Sequence, residues 1–79
     1  MSAKIRLARY GTKKKPFYRI VIIDSQKARN GKFLEIVGTY DPSKGEKKTM
    51  WKKERVNHWL SVGAQPTLTV RQLMQKEFN

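Results

Sequence analysis

"FYRIVIID", Phe17–Asp24, is the stretch on which the fold turns. Aromatic and β-branched residues fill it and no glycine or proline interrupts it, so it reads as a central strand. Phe17, Val21 and Ile23 share one face; Tyr18, Ile20 and Ile22 share the other. Both faces are largely apolar. Phe17 is expected to pack in the core, and at least one nearby tyrosine to pack with its hydroxyl at the rim.

Upstream, Pro16 fixes the chain before this strand, and "YGTKKK", Tyr10–Lys15, precedes the proline. Gly11 and Thr12 begin a turn, and the three lysines form its far side. Earlier still, Ile5 and Leu7 alternate with Lys4 and Arg6, the period-two pattern of a half-buried strand. Arg9 has the parity of Ile5 and Leu7, which places it where that strand leaves the core.

Downstream, "SQKARNGK", Ser25–Lys32, is a polar, basic loop with an Asn30-Gly31 turn signal. "FLEIVGTY", Phe33–Tyr40, predicts a third strand with Leu34, Ile36 and Tyr40 on one face, and Gly38 suggests a bulge or a close approach. "DPSKGEKK" from Asp41 is a loop, and "TMW" extends to a short fourth strand. The period then changes. Val56, Trp59 and Leu60 stand at helical spacing, with Gly63 placed to stop that helix. Pro66 and Thr67 announce a second helix carrying Val70, Leu73 and Met74, with Thr67, or Thr69 with Gln72, as its cap. Strands first and helices last predict one α+β domain over residues 1–79, a small sheet of three to five strands with two C-terminal helices packed on one face.

A chain of 79 residues is one domain with a marginal core, burying about 60% of its unfolded surface. There is no cysteine, hence no disulfide and no cysteine zinc site. No apolar run approaches the ~20 residues of a membrane span, and Met1–Arg9 has no continuous apolar segment of the kind a secretory signal carries. Charge says more. The net charge is +12, and the first 32 residues hold ten of the 18 basic residues but one of the six acidic ones, Asp24. Charge gathered at one end repels itself unless a polyanion relieves it, and nucleic acid is the commonest polyanion.

Candidate catalytic groups do not assemble. The carboxylates are scattered, the glycines form no phosphate loop or dinucleotide fingerprint, and the serines lack a nucleophile motif. His58, the sole histidine, stands beside Trp59 as an exposed helix residue without ligands at metal spacing. Trp51 and Trp59 are expected as core or edge anchors. No enzyme, cofactor or small-molecule substrate is expected. The candidate RNA-contacting residues are Lys4, Arg6, Arg9, Tyr10, Lys13, Lys14, Lys15, Tyr18, Arg19, Lys27, Arg29, Asn30 and Lys32. In these the cations suit phosphates, and Tyr10 and Tyr18 suit base stacking. A general nucleic-acid chaperone needs similar charge. A peripheral membrane protein needs a strongly amphipathic basic helix, which is absent.

Four blocks in order, "KIRLARYG" at Lys4–Gly11, "KKPFYRIVIID" at Lys14–Asp24, "ARNGKFLEIVGTYDP" at Ala28–Pro42 and "HWLSVGAQPT" at His58–Thr67, closely resemble the bacterial-type small-subunit ribosomal protein sixteen family. The resemblance covers nearly the whole chain. It implies a small α+β protein bound to the 5′ domain of small-subunit ribosomal RNA, supporting assembly by holding RNA helices in their native arrangement. It also implies neighbouring small-subunit ribosomal proteins as partners, a monomer within the ribosome, and a cytoplasmic location, or an organelle stroma or matrix if the chain is organelle-encoded. Many members continue into a polar or basic tail where this chain stops at Asn79, and the Ser43–Met50 loop matches no family feature.

Overall fold

The computed structural model describes residues 3–24, 26, 33–43 and 49–77. In chain order the elements are β1 (Ala3–Gly11), β2 (Pro16–Asp24), β3 (Glu35–Tyr40), β4 (Thr49–Trp51), α1 (Lys53–Ser61), β5 (Gln65–Pro66) and α2 (Leu68–Glu77). The strands form one sheet in the order β4-β3-β2-β1-β5, so Phe17–Asp24 lies in the middle strand, as expected. β1 to β4 pair antiparallel, and β5 runs parallel to β1. The architecture is the expected α+β, with five strands and two C-terminal helices.

The core lies between one sheet face and the helices. Ile5, Ile20, Ile22 and Val37 cluster there with Val56 of α1 and Val70 of α2, all fully buried. Burying a Val or Ile side chain stabilises by roughly 1.5–3 kcal/mol, so these few residues dominate the stability of so small a domain. Trp51, Trp59 and Leu60 pack partly buried against the cluster, and His58 sits exposed, edge-on to Trp59. Val21 and Ile23, on the opposite sheet face, are buried as well.

β3 departs from simple alternation. Ile20 pairs with Gly38 but Val21 pairs with Ile36, leaving Val37 as an extra residue in a bulge. A bulge reverses the parity of a strand beyond it. Ile36 therefore lies opposite Val21 on the helix-free face, whereas Tyr40 lies opposite Tyr18 on the helix side. The expectation that Leu34, Ile36 and Tyr40 share a face is corrected on this ground. Leu34 precedes the strand, which begins at Glu35; it is exposed, and its N–H donates to the Ile22 carbonyl at 2.8 Å. Gly38 combines the bulge with a close approach. A Cβ there would stand 2.5 Å from the Met50 carbonyl oxygen of β4 and 3.2 Å from the Ile20 side chain.

α1 ends as its glycine predicts. Gly63 takes φ +97°, its N–H donates to the Leu60 carbonyl at 3.1 Å, and the Ala64 N–H donates to Trp59 at 2.9 Å, the paired bonds of a Schellman stop. The chain turned out by this stop runs beside β1 as β5, an element the sequence did not suggest. Two residues carry too little pattern, and proline is tolerated only because the pairing is at a sheet edge. The Thr67 N–H then donates to the Ile5 carbonyl at 2.9 Å, immediately before α2.

One charged clamp ties α1 to β3. Glu35 accepts from Arg55 Nε and Nη2, both at 2.6 Å, and from the Trp59 indole N–H at 3.2 Å. The Arg55 fork holds the Glu35 carboxyl down at about 2; partial burial opposes this, and the Trp59 bond adds to it. The folded state thus binds this proton less readily than the unfolded chain does. The clamp's contribution is full above the ordinary carboxylate range and is lost as pH falls towards 2.

Two outcomes are expected. Thermal unfolding followed from pH 7 to 2 should show an acid loss that is shallower in Glu35→Gln, which also melts lower at pH 7; equal acid limbs would remove the clamp from the pH dependence. Gly38→Ala should cost about 1–3 kcal/mol in urea unfolding through overpacking, with faster amide exchange in β4. Unchanged stability would show that β4 withdraws freely.

Candidate nucleic-acid interface

β1 and β2 form an unbroken antiparallel ladder from Ala3↔Asp24 to Gly11↔Pro16. Its inner rungs, as far as Leu7↔Ile20, carry the core. The outer rungs, Ala8↔Arg19, Arg9↔Tyr18, Tyr10↔Phe17 and Gly11↔Pro16, contribute nothing to the core cluster. At about 3.4 Å per residue, four rungs project roughly 13 Å past the last core pair.

The tip is closed by Gly11 and Thr12. Gly11 takes φ +85°, and a Cβ on it would meet the Lys15 carbonyl oxygen at 2.5 Å, so the turn admits only glycine there. The Lys15 N–H donates to the Thr12 hydroxyl at 3.1 Å. Lys13, Lys14 and Lys15 are all exposed on this turn. In water, like charges 4 Å apart repel by about 1 kcal/mol, so the run costs little while it faces solvent.

The two faces of the projecting end differ in residues but not in kind. On the helix-free face Tyr10 and Phe17 stack with ring centres 5.8 Å apart, and Arg19 Cζ lies 4.6 Å from the Tyr10 centroid. Such a cation–π contact is worth about 0.5–1 kcal/mol at an exposed site and orients the guanidinium. Lys4 and Arg6 are exposed further along the same face. On the helix side, Arg9 pairs across from Tyr18, whose ring lies 5.8 Å from that of Tyr40. The structure therefore brings Tyr10 and Arg19 together, sets Arg9 and Tyr18 on the reverse face, and holds the lysines at the end between them. Lys27, Arg29, Asn30 and Lys32 lie outside the described residues.

Two aromatics of this region escape sequence reasoning. Phe17 is not in the core; it is half-buried on the helix-free face against Tyr10. Its strand parity set it with Val21 and Ile23, and only the packed fold shows that face to be the one without helices. Tyr40 reaches Tyr18 only because the bulge reverses its parity, and nothing in the sequence numbers that reversal.

Acidic groups do not quench the patch. Asp24, at the far end of the ladder, accepts from the Gln26 N–H at 2.9 Å. Asp41 lines a cleft of about 260 Å³ with Lys14 and Lys15, and its Oδ1 accepts from the Ser43 N–H at 3.0 Å and from the Ser43 hydroxyl at 2.6 Å. The ion pair joining Arg55 to Glu35 is elsewhere, and no hairpin cation has a carboxylate partner among the described residues. Among those residues, too, no group of three His, Cys, Asp or Glu could hold a metal ion, and no helix is long and apolar enough to cross a membrane.

Comparison with known proteins gives the same direction as the charge. The family described as ribosomal protein S16 matches residues 9–67, which takes in the tip, β2, β3 and α1 and leaves out Lys4 and Arg6. A small ribosomal subunit protein bS16 from Desulfatibacillum aliphaticivorans is 52% identical over 77 residues, 98% of this chain and 88% of that protein. Another from Gemmatimonas aurantiaca is 55% identical over 76 residues, 96% of this chain and 73% of that protein. A family match over residues 9–67 and near full-length identity above one half show that the chain belongs to the ribosomal protein S16 family, a structural protein of the small ribosomal subunit and not an enzyme.

Proposed function

We propose that the chain binds small-subunit ribosomal RNA, in its 5′ domain, through the hairpin formed by β1 and β2, and that it supports subunit assembly by holding RNA helices in their native arrangement. The observation that carries this is the hairpin itself. Lys4, Arg6, Arg9 and Arg19 stand on one continuous ladder and Lys13, Lys14 and Lys15 on the turn that closes it, with no carboxylate partner among the described residues. The basic segment with Lys27, Arg29, Asn30 and Lys32 supplies a second contact.

The contacts are to phosphate. Side chains cannot read the deep, narrow major groove of an RNA helix, so such a protein recognises shape and backbone. Phosphate contacts fix position and register without reading sequence. A ladder that holds its cations at set separations favours RNA whose backbones already converge at that spacing. The partners are the RNA and neighbouring small-subunit proteins. The protein acts as a monomer in the ribosome, in the cytoplasm of a bacterium or in the stroma or matrix of an organelle.

A salt titration of binding to a 5′-domain RNA transcript tests this. Neutralising about six phosphates gives a slope of log K against log salt of about −4 to −5; a slope near zero would sink the electrostatic reading. A second measurement takes the variant with Lys13, Lys14 and Lys15 all changed to alanine. Its melting temperature should hold, because the lysines are exposed, while its slope flattens by about 2–3 and affinity falls by tenfold or more. Full affinity in that variant would return the lysines to a role in solubility alone.

A further inference from the structure

We infer that the projecting end of the sheet is a two-sided wedge, which holds one RNA segment against Arg9 on the helix side and a second segment against Arg19 on the helix-free side. This rests on the RNA-binding reading and goes beyond it, because it assigns the joining of two segments to opposite faces of one element.

Each face of the wedge has the same make-up: one arginine and two aromatic rings in contact. Arg19 lies over Tyr10, itself stacked on Phe17; Arg9 stands across from Tyr18, itself against Tyr40. If the rings only stapled the hairpin end, neither face would need a cation. Both faces and the tip carry exposed or half-buried cations, and Asp41, which lines a cleft with Lys14 and Lys15, accepts through Oδ1 from the Ser43 N–H and hydroxyl. Charge complementarity thus selects a polyanion on both sides.

The strands supply the spacing. A single sheet layer with its side chains is about 10 Å thick, close to the Debye length of about 8–10 Å at ordinary salt. Two RNA backbones at that separation repel each other appreciably. A layer presenting guanidinium groups on both sides removes that repulsion at the point of closest approach. On the helix-free side the Tyr10 ring, stacked on Phe17, braces the Arg19 guanidinium. On the helix side the Tyr18 ring lies against Tyr40, and Arg9 is exposed across the ladder from it. The forks of both arginines meet phosphate oxygens.

The test is hydroxyl-radical footprinting of the 5′-domain RNA transcript with the full chain and with Arg9→Gln, Arg19→Gln and the double variant. Glutamine keeps length and removes charge, and unchanged melting temperatures confirm that each variant folds. Each single variant should lose protection over a different RNA segment and reduce the salt slope by about 1, and the double variant should lose both segments. Loss of the same segment in both, or a full footprint in either, overturns the two-sided wedge even when the parent chain binds with its steep salt dependence. A full footprint in one would leave that face to an acidic neighbouring protein. Absence of any salt-dependent protection by the parent chain would overturn the RNA-binding reading as well.

Discussion

One continuous ladder of backbone hydrogen bonds governs this protein. An isolated hairpin is marginal in water, because two strands alone bury too little. The outer half of the β1–β2 hairpin has no core beneath it, yet it is the part that presents the basic surface. It stays in register because its inner half is fastened by Ile5, Ile20 and Ile22. The same strands are core at one end and surface at the other. A side chain at the tip is therefore placed by packing several rungs away, and the pleat assigns each outer residue to a face with no further contact needed.

Charge and stability are separated along the same axis. A small basic domain loses stability to self-repulsion, so its few acids are worth most where they lock secondary elements together. Glu35 does this on the helix side of the sheet, bridging Arg55 and Trp59. Asp24 and Asp41 each hold a turn through a backbone N–H. None of the three pairs with a hairpin cation among the described residues. The positive field is left for another molecule, and the tip is kept exposed, where water and salt screen the three lysines from one another.

The sequence disclosed what has a period. Phe17–Asp24 announced a central strand because eight residues without a breaker allow little else. Val56, Trp59 and Leu60 announced a helix, and Gly63 its end. The Lys13–Lys15 turn was legible because glycine and proline bracket it. Features that depend on partners were hidden. A bulge is a relation between two strands, so Gly38 could suggest one but could not say that Tyr40 would cross to the helix side. β5 is two residues long and exists only because β1 offers an edge beside it. Phe17 misled for a related reason: both faces of its strand are apolar, and only the packing of the helices decides which of them becomes the core face. The pairing of Arg19 with Tyr10, diagonal across two strands, needs the register to be known.

That pairing also changes what the aromatics are for. An unoccupied tyrosine among cations suggests base stacking, a sequence-tolerant contact with single strands. A tyrosine already stacked on Phe17 and covered by an arginine offers a braced guanidinium instead. A guanidinium is a planar fork that meets two phosphate oxygens at once, and it gains specificity from direction where a lysine gives only charge. On the proposed reading, the lysines at the tip supply attraction from a distance and the arginines on the two faces supply orientation. An RNA whose backbones diverge satisfies the first and fails the second. Selectivity for folded RNA then follows without a single contact to a base edge, since what is recognised is the separation between two backbones, and that separation is the thickness of one sheet.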